Sequence, residues 1–127
     1  LYLRLCELGL ATARNTFTPT PPDADTLSLC HCPEYVAAFT SGSIDAAAMK
    51  RIGLPWSERL VRRTVLGVGS AVLAARLALQ YGVAAMSNGG THHAHYAHGS
   101  GCVARGMLCH SLFADSVKRS VHQVVHV

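Results

Sequence analysis

Residues 89–101 read GGTHHAHYAHGSG, a stretch in which His92 and His93 are adjacent and His95 and His98 follow closely. Imidazole is the side chain that changes protonation near neutral pH. One ring of such a pair can take a proton from an attacking water while its neighbour holds the developing charge, provided each has an orienting partner. Asn88, Gly89 and Gly90 turn the chain just before the pair. Taken alone, the HHxHxxH pattern also suits an exposed loop or an adventitious metal site, and does not choose among them.

Proton transfer needs a rigid base, and the preceding sequence predicts one. Ser57 is a good N-cap, and Val61, Val65, Val68, Val72, Ala75 and Leu79 recur at helical spacing, so a long helix with one apolar stripe is expected over 57–81. Gly67 and Gly69 would each cost that helix about 1 kcal/mol relative to alanine, which points to close approach of another backbone. Tyr81 and Gly82 end it, and residues 83–86 form a short apolar run fit for a buried parallel strand. Open α/β sheets place ligands beyond the carboxyl ends of such strands, where the histidine loop would lie.

Upstream, Leu1, Tyr2, Leu5, Cys6 and Leu8 recur at helical spacing, with Gly9 as a stop. Pro19, Pro21 and Pro22 among threonines and aspartates make 16–25 a loop. Two brief apolar segments follow at 27–30 and 34–39, separated by Pro33, which suits the first turn of a helix ending near Gly42. Asp45 is a weak N-cap for a further helix from Ala46, and the turn at Pro55 and Trp56 favours core packing of the indole. In the tail, Val117, Val121, Val124 and Val125 suit an amphipathic helix or strand.

The 127 residues suffice for one compact unit. Half are apolar and 14% charged, which excludes a disordered acidic or basic tail and favours an α/β or α assembly. The net charge of +4 is dispersed, and the one local group, Arg59, Arg62 and Arg63, suits a solvated helix face, so no direct nucleic-acid binding is expected. Five cysteines, an odd number without framework spacing, argue for reduced thiols and an intracellular protein, nuclear or cytoplasmic. Glu7 interrupts the apolar opening LYLRLCELGL, which reads as a helix entered part-way, as if the sequence began inside a longer parent. No uninterrupted apolar run approaches the roughly 20 residues of a membrane span, and no membrane partner is expected.

The order of segments adds a resemblance. HCPEYVAAFTSG at 31–42, RIGLPWSERLVRRT at 51–64, AARLAL at 74–79 and NGGTHHAHYAHGSG at 88–101 together resemble the histone deacetylase family, most closely its class IV branch and bacterial relatives, over about residues 1–102. That resemblance implies an α/β fold of the arginase/deacetylase type, with a parallel sheet flanked by helices, and a catalytic zinc that hydrolyses acyl-lysine amides on proteins such as histones. It implies that His92 steadies the water and oxyanion and that His93 acts as general base, then general acid. Gly89 and Gly90 match the glycine turn of that loop, and Gly101 the glycine lining the acyl-lysine tunnel.

The departures are equally specific. Ala97 stands where relatives carry an acidic residue, and Cys102 follows Gly101 without the aromatic that walls the tunnel. Residues 103–127 show no family counterpart, and no Asp-x-His, the family's zinc-ligand pair, occurs anywhere in the chain. The expectation is therefore a partial domain over 1–102, incomplete at its C-terminus and followed by a divergent tail, with no zinc bound and no activity alone. The alternatives are a non-catalytic interaction protein that keeps the front half of the fold and a small histidine-rich metal-binding module. Cys30, His31 and Cys32 form a tempting cluster; buried free thiols are the simpler expectation, with His31 in a local hydrogen bond.

Overall fold

The computed structural model describes residues 1–87 and 93–100 and the backbone of 123–125; for His93 it describes the backbone alone. The chain divides into two compact units rather than the single one expected from its length. One gathers Leu1–Thr20, Gly69–Gly89 and His110–Val127, the other Pro21–Val68 and Gly90–Cys109.

The second unit is a helical framework whose ends follow from its capping residues. Helix α2 (Ala24–Ser28) starts where the Asp23 side chain accepts from the Thr26 amide at 2.8 Å. Helix α3 (Pro33–Ser41) has its proline in the first turn, where the missing N–H costs nothing, and Gly42 follows in the left-handed region at φ +82°. Asp45 caps α4 (Ala46–Ile52) through the Ala48 amide at 2.8 Å, and Ser57 caps the long helix α5 (Glu58–Tyr81) through the Leu60 amide at 3.1 Å. Phe39, Ile52 and Leu60 form the core here, with Ile44, Met49, Leu54 and Val61 packed against it. The Trp56 indole donates to the Phe39 carbonyl at 2.8 Å, and its ring lies so close to Gly42 that an added Cβ would meet it at 2.8 Å. The sequence led to an indole in the core; the structure leaves it half-buried, laid against Gly42 and tied to the Phe39 carbonyl at the edge of that core.

In the first unit, α1 (Tyr2–Glu7) ends at Gly9, whose φ is +68°. Three strands, β1 (Thr16–Phe17), β2 (Ala84–Met86) and β5 (Gln123–Val125), form a parallel sheet in the order β1-β5-β2. Thr16 pairs with Val124 and Phe17 with Val125, while Ala84, Ala85 and Met86 pair with Gln123, Val124 and Val125. The C-terminal half of α5 packs on this sheet: Ala74 and Leu77 are buried there, with Phe17, Leu73 and Ala84 against them.

Several expectations need correction. The proline-rich stretch 16–25 is not all loop: Thr16 and Phe17 lie before the prolines and form a strand, and Ala24 opens a helix because Asp23 caps it. The strand at 84–86 is parallel, as expected, but Ala85 and Met86 are exposed rather than buried. Residues 103–122 lie outside the described residues, whereas 123–125 of the tail form the middle strand. Helix α5 is unbroken, but its buried line is rotated from the expected stripe. Leu60, Thr64, Val68, Ser70, Ala74 and Leu77 are buried, and Leu79 is 79% exposed. The valine count missed this because two positions on the buried line are polar. Thr64 can occupy one because its hydroxyl donates to the Leu60 carbonyl at 2.7 Å, which removes the penalty for burying it.

By length and composition α5 is also long and apolar enough to cross a membrane, although no uninterrupted apolar run in the sequence approaches that length. Glycine, serine and threonine interrupt such a run yet barely lower the hydropathy of the helix. Leu60, Val68, Ala74 and Leu77 of this helix are buried within the protein, and about a third of its apolar window is covered.

Candidate functional site

The histidine segment is built as a small hairpin. Strand β3 (His93–Ala94) pairs antiparallel with β4 (Gly99–Ser100), His93 opposite Ser100 and Ala94 opposite Gly99. The His95 amide donates to the His98 carbonyl at 3.1 Å, closing the turn, and the two rings stack at 4.2 Å with their planes 12° apart. His93 thus sits in a two-residue strand, not in an open loop. His92, Gly89, Gly90 and Gly101 lie outside the described residues. His95 and His98, to which the sequence assigned no role, make the turn.

What holds the hairpin comes from the start of α3. The Cys32 amide donates to the Tyr96 carbonyl at 2.9 Å, and the His31 Nδ1 lies 3.0 Å from the His95 carbonyl. His31 is only 3% exposed, and its Nε2 is buried without a hydrogen-bond partner among the described residues. Because a carbonyl oxygen can only accept, Nδ1 must carry the proton in this contact. The bond reaches across 64 positions of sequence, so the local contact expected for His31 is a long-range one.

Tyr35 and Phe39 continue the same face of α3, one helical turn apart; Tyr35 lies 6.2 Å from the His31 ring and 6.4 Å from Phe39 between centroids. An added Cβ at Gly99 would lie 3.2 Å from the Tyr35 hydroxyl and 3.4 Å from Ile52, so β4 packs down on these side chains. Burial pushes the Tyr35 phenol up from its ordinary value, while the Arg51 charge and a backbone hydrogen bond from Gly99 pull the other way. Sequence reasoning did not single out Tyr35 or Arg51. The available signal was the spacing of His31, Tyr35 and Phe39, which places three rings on one side of a helix.

Among the described residues no group of three His, Cys, Asp or Glu side chains could hold a metal ion. Cys6, Cys30 and Cys32 are free thiols; Cys30 is exposed, and Cys32 donates to Glu34 at 2.7 Å, which draws the Glu34 carboxyl below its ordinary value. Asp23 and Asp45 are occupied as helix caps. The described donor set therefore does not fit a zinc ion, which takes three or four converging ligands.

Helices with a short parallel sheet in one unit, and a histidine-bearing hairpin held by α3 in the other, define a mixed α/β chain. The chain matches the histone deacetylase domain over residues 1–106 and belongs to that family, which carries the arginase/deacetylase fold and is generally zinc-dependent. It is also similar to an uncharacterized protein of Picosynechococcus sp., 44% identical over 101 residues, a match covering 80% of this chain and 34% of the relative. The chain thus spans about a third of the length of that relative.

Proposed function

We propose that this chain supplies the proton-transfer half of a zinc-dependent acyl-lysine deacylase site, and that its 127 residues do not hydrolyse acyl-lysine by themselves. One observation carries this: within a stretch matched to the family, the tandem histidines of GGTHHA are present, and no Asp-x-His occurs anywhere in the sequence. In this reading His92 and His93 hold and move a proton at their imidazole nitrogens, and Gly101 lines the acyl-lysine path. Acid-base catalysis alone contributes about 10² to 10⁴-fold, well short of what amide hydrolysis requires. The substrate class is acyl-lysine on proteins such as histones, the compartment is intracellular, and the family-like part of the chain is followed by a divergent tail.

The test is acyl release from acetyl- and longer acyl-lysine peptides by the purified chain with added zinc. No release is expected. Zinc-dependent turnover that disappears in His93→Ala would overturn the inactivity and show that other residues complete the site.

One observation favours a second reading, a non-catalytic interaction protein. Of nine large apolar side chains exposed among the described residues, seven, including Leu1, Leu3, Leu10 and Leu79, belong to the first unit, apolar area that a partner would remove from water. Stable association of the purified chain with a full-length family member would support it; a chain that stays monomeric and alone in the mixture would count against it.

A further inference from the structure

We propose that His31 is a positioning residue for the tandem histidines: its Nδ1–H, donated to the His95 carbonyl, sets the placement of the hairpin that begins at His93. The proposal rests on the proton-transfer role proposed for His92 and His93. Three features of the structure support it.

His31 lies just before the N-cap Cys32 of α3, so its backbone is fixed by a helix that is itself anchored through Phe39 and the Trp56 bond. The hairpin has few anchors of its own. Its strands are two residues long, and a ladder that short is not stable without outside support. The contacts that supply support come together at one place: His31 Nδ1 on the His95 carbonyl, the Cys32 amide on the Tyr96 carbonyl, and Tyr35 beneath Gly99.

The second feature is asymmetry. One ring nitrogen of His31 is bonded and the other is buried without a partner among the described residues. A buried polar atom left unpaired is destabilising, because it gives up its hydrogen bonds to water and gains none in the protein. An apolar residue of similar size would avoid that cost, so the imidazole is accounted for by its Nδ1 bond.

The third is geometry. The carbonyl that His31 holds lies two residues past His93, on the strand-to-turn junction. A side chain bonding there limits how far β3 can slide or twist, and in a two-residue strand such a slip would move His93 to the opposite face of the pairing. Catalytic groups need placement within fractions of an ångström, which a second layer of hydrogen bonds supplies.

The test uses the full chain labelled with ¹⁵N. In the wild type the His31 ring should show a protonated Nδ1 and an unprotonated Nε2. An asparagine places an amide N–H near the position of Nδ1, whereas a glutamine places it near Nε2. His31→Asn should therefore keep the hydrogen-exchange protection of the Cys32 and His95 amides within about threefold and leave the His93 ring signals at their wild-type positions. His31→Gln should lower that protection by about tenfold or more and shift the His93 signals, while the Trp56 indole signal stays in place and reports an intact α3 core. A ring protonated at Nε2 instead, equal rescue by glutamine and asparagine, or His93 signals indifferent to both variants would overturn the proposal. Should His31→Ala unfold the chain, the wild-type ring signals and the contrast between asparagine and glutamine still decide it. Failure of the functional reading has a separate signature: no acyl-lysine hydrolysis by any longer chain carrying the same hairpin, with the His31 signals as described.

Discussion

Gly42 concentrates two constraints in one residue. Its φ of +82° lies where a side chain is strained by about 1–2 kcal/mol, and the Trp56 ring occupies the space a Cβ would need. Gly42→Ala should destabilise the chain by roughly 2–3 kcal/mol, combining backbone strain with loss of the indole hydrogen bond. Denaturant unfolding followed by the fluorescence of the single tryptophan measures it; a loss below about 0.5 kcal/mol would mean that Trp56 moves aside freely. Tyr35 makes a pH prediction at the same scale. Its folded-state value is raised above 10.0, chiefly by burial, so the contribution to stability is fully present below pH 10.0 and is lost as pH rises through the folded value. Ultraviolet titration of phenolate formation should show a late-ionising component that Tyr35→Phe diminishes.

At the scale of the element, α5 decides the packing of both units it passes through, and the register of its buried face can be tested directly. Leu77 is 6% exposed and packs on the sheet, so Leu77→Ala should cost about 2–5 kcal/mol. Leu79, two positions on, is exposed, and Leu79→Ala should change stability by less than about 0.5 kcal/mol. Comparable losses at both positions would restore the valine stripe as the buried face. At the start of the same helix Ser57→Ala should remove about 1 kcal/mol, because the Leu60 amide loses its acceptor.

For the molecule as a whole, the exposed leucines of the first unit are the side chains whose replacement tests its behaviour in solution. Leu3 and Leu79 are 76% and 79% exposed, and neither belongs to a buried cluster, so Leu3→Lys with Leu79→Lys should raise the solubility of the chain and weaken its binding of a hydrophobic dye. The unfolding free energy should stay within about 0.5 kcal/mol of the wild type. A large stability loss in that double variant would show that these side chains are packed in solution.

Local chemistry made much of this protein legible in its amino-acid order. Proline in a first helical turn, aspartate and serine at helix starts and glycine after helix ends act through neighbouring backbone groups, so α1, α3, α4 and α5 fall where those residues predict. The adjacency of His92 and His93 and the lack of Asp-x-His are likewise properties of the order alone. The order did not reveal that Thr16 and Phe17 form a strand, since a two-residue strand exists only through its partner, here residues 124 and 125. Nor could it show which side of α5 is buried: Thr64 bonds back to the Leu60 carbonyl of its own helix, Ser70 reaches the Met86 sulfur only in the folded chain, and neither looks like a core residue until the fold closes over it. The support of the hairpin by His31 was out of reach for the same reason. A bond between residues 64 positions apart has no local pattern, and only the packing of the chain brings an imidazole beside α3 to a carbonyl in the turn.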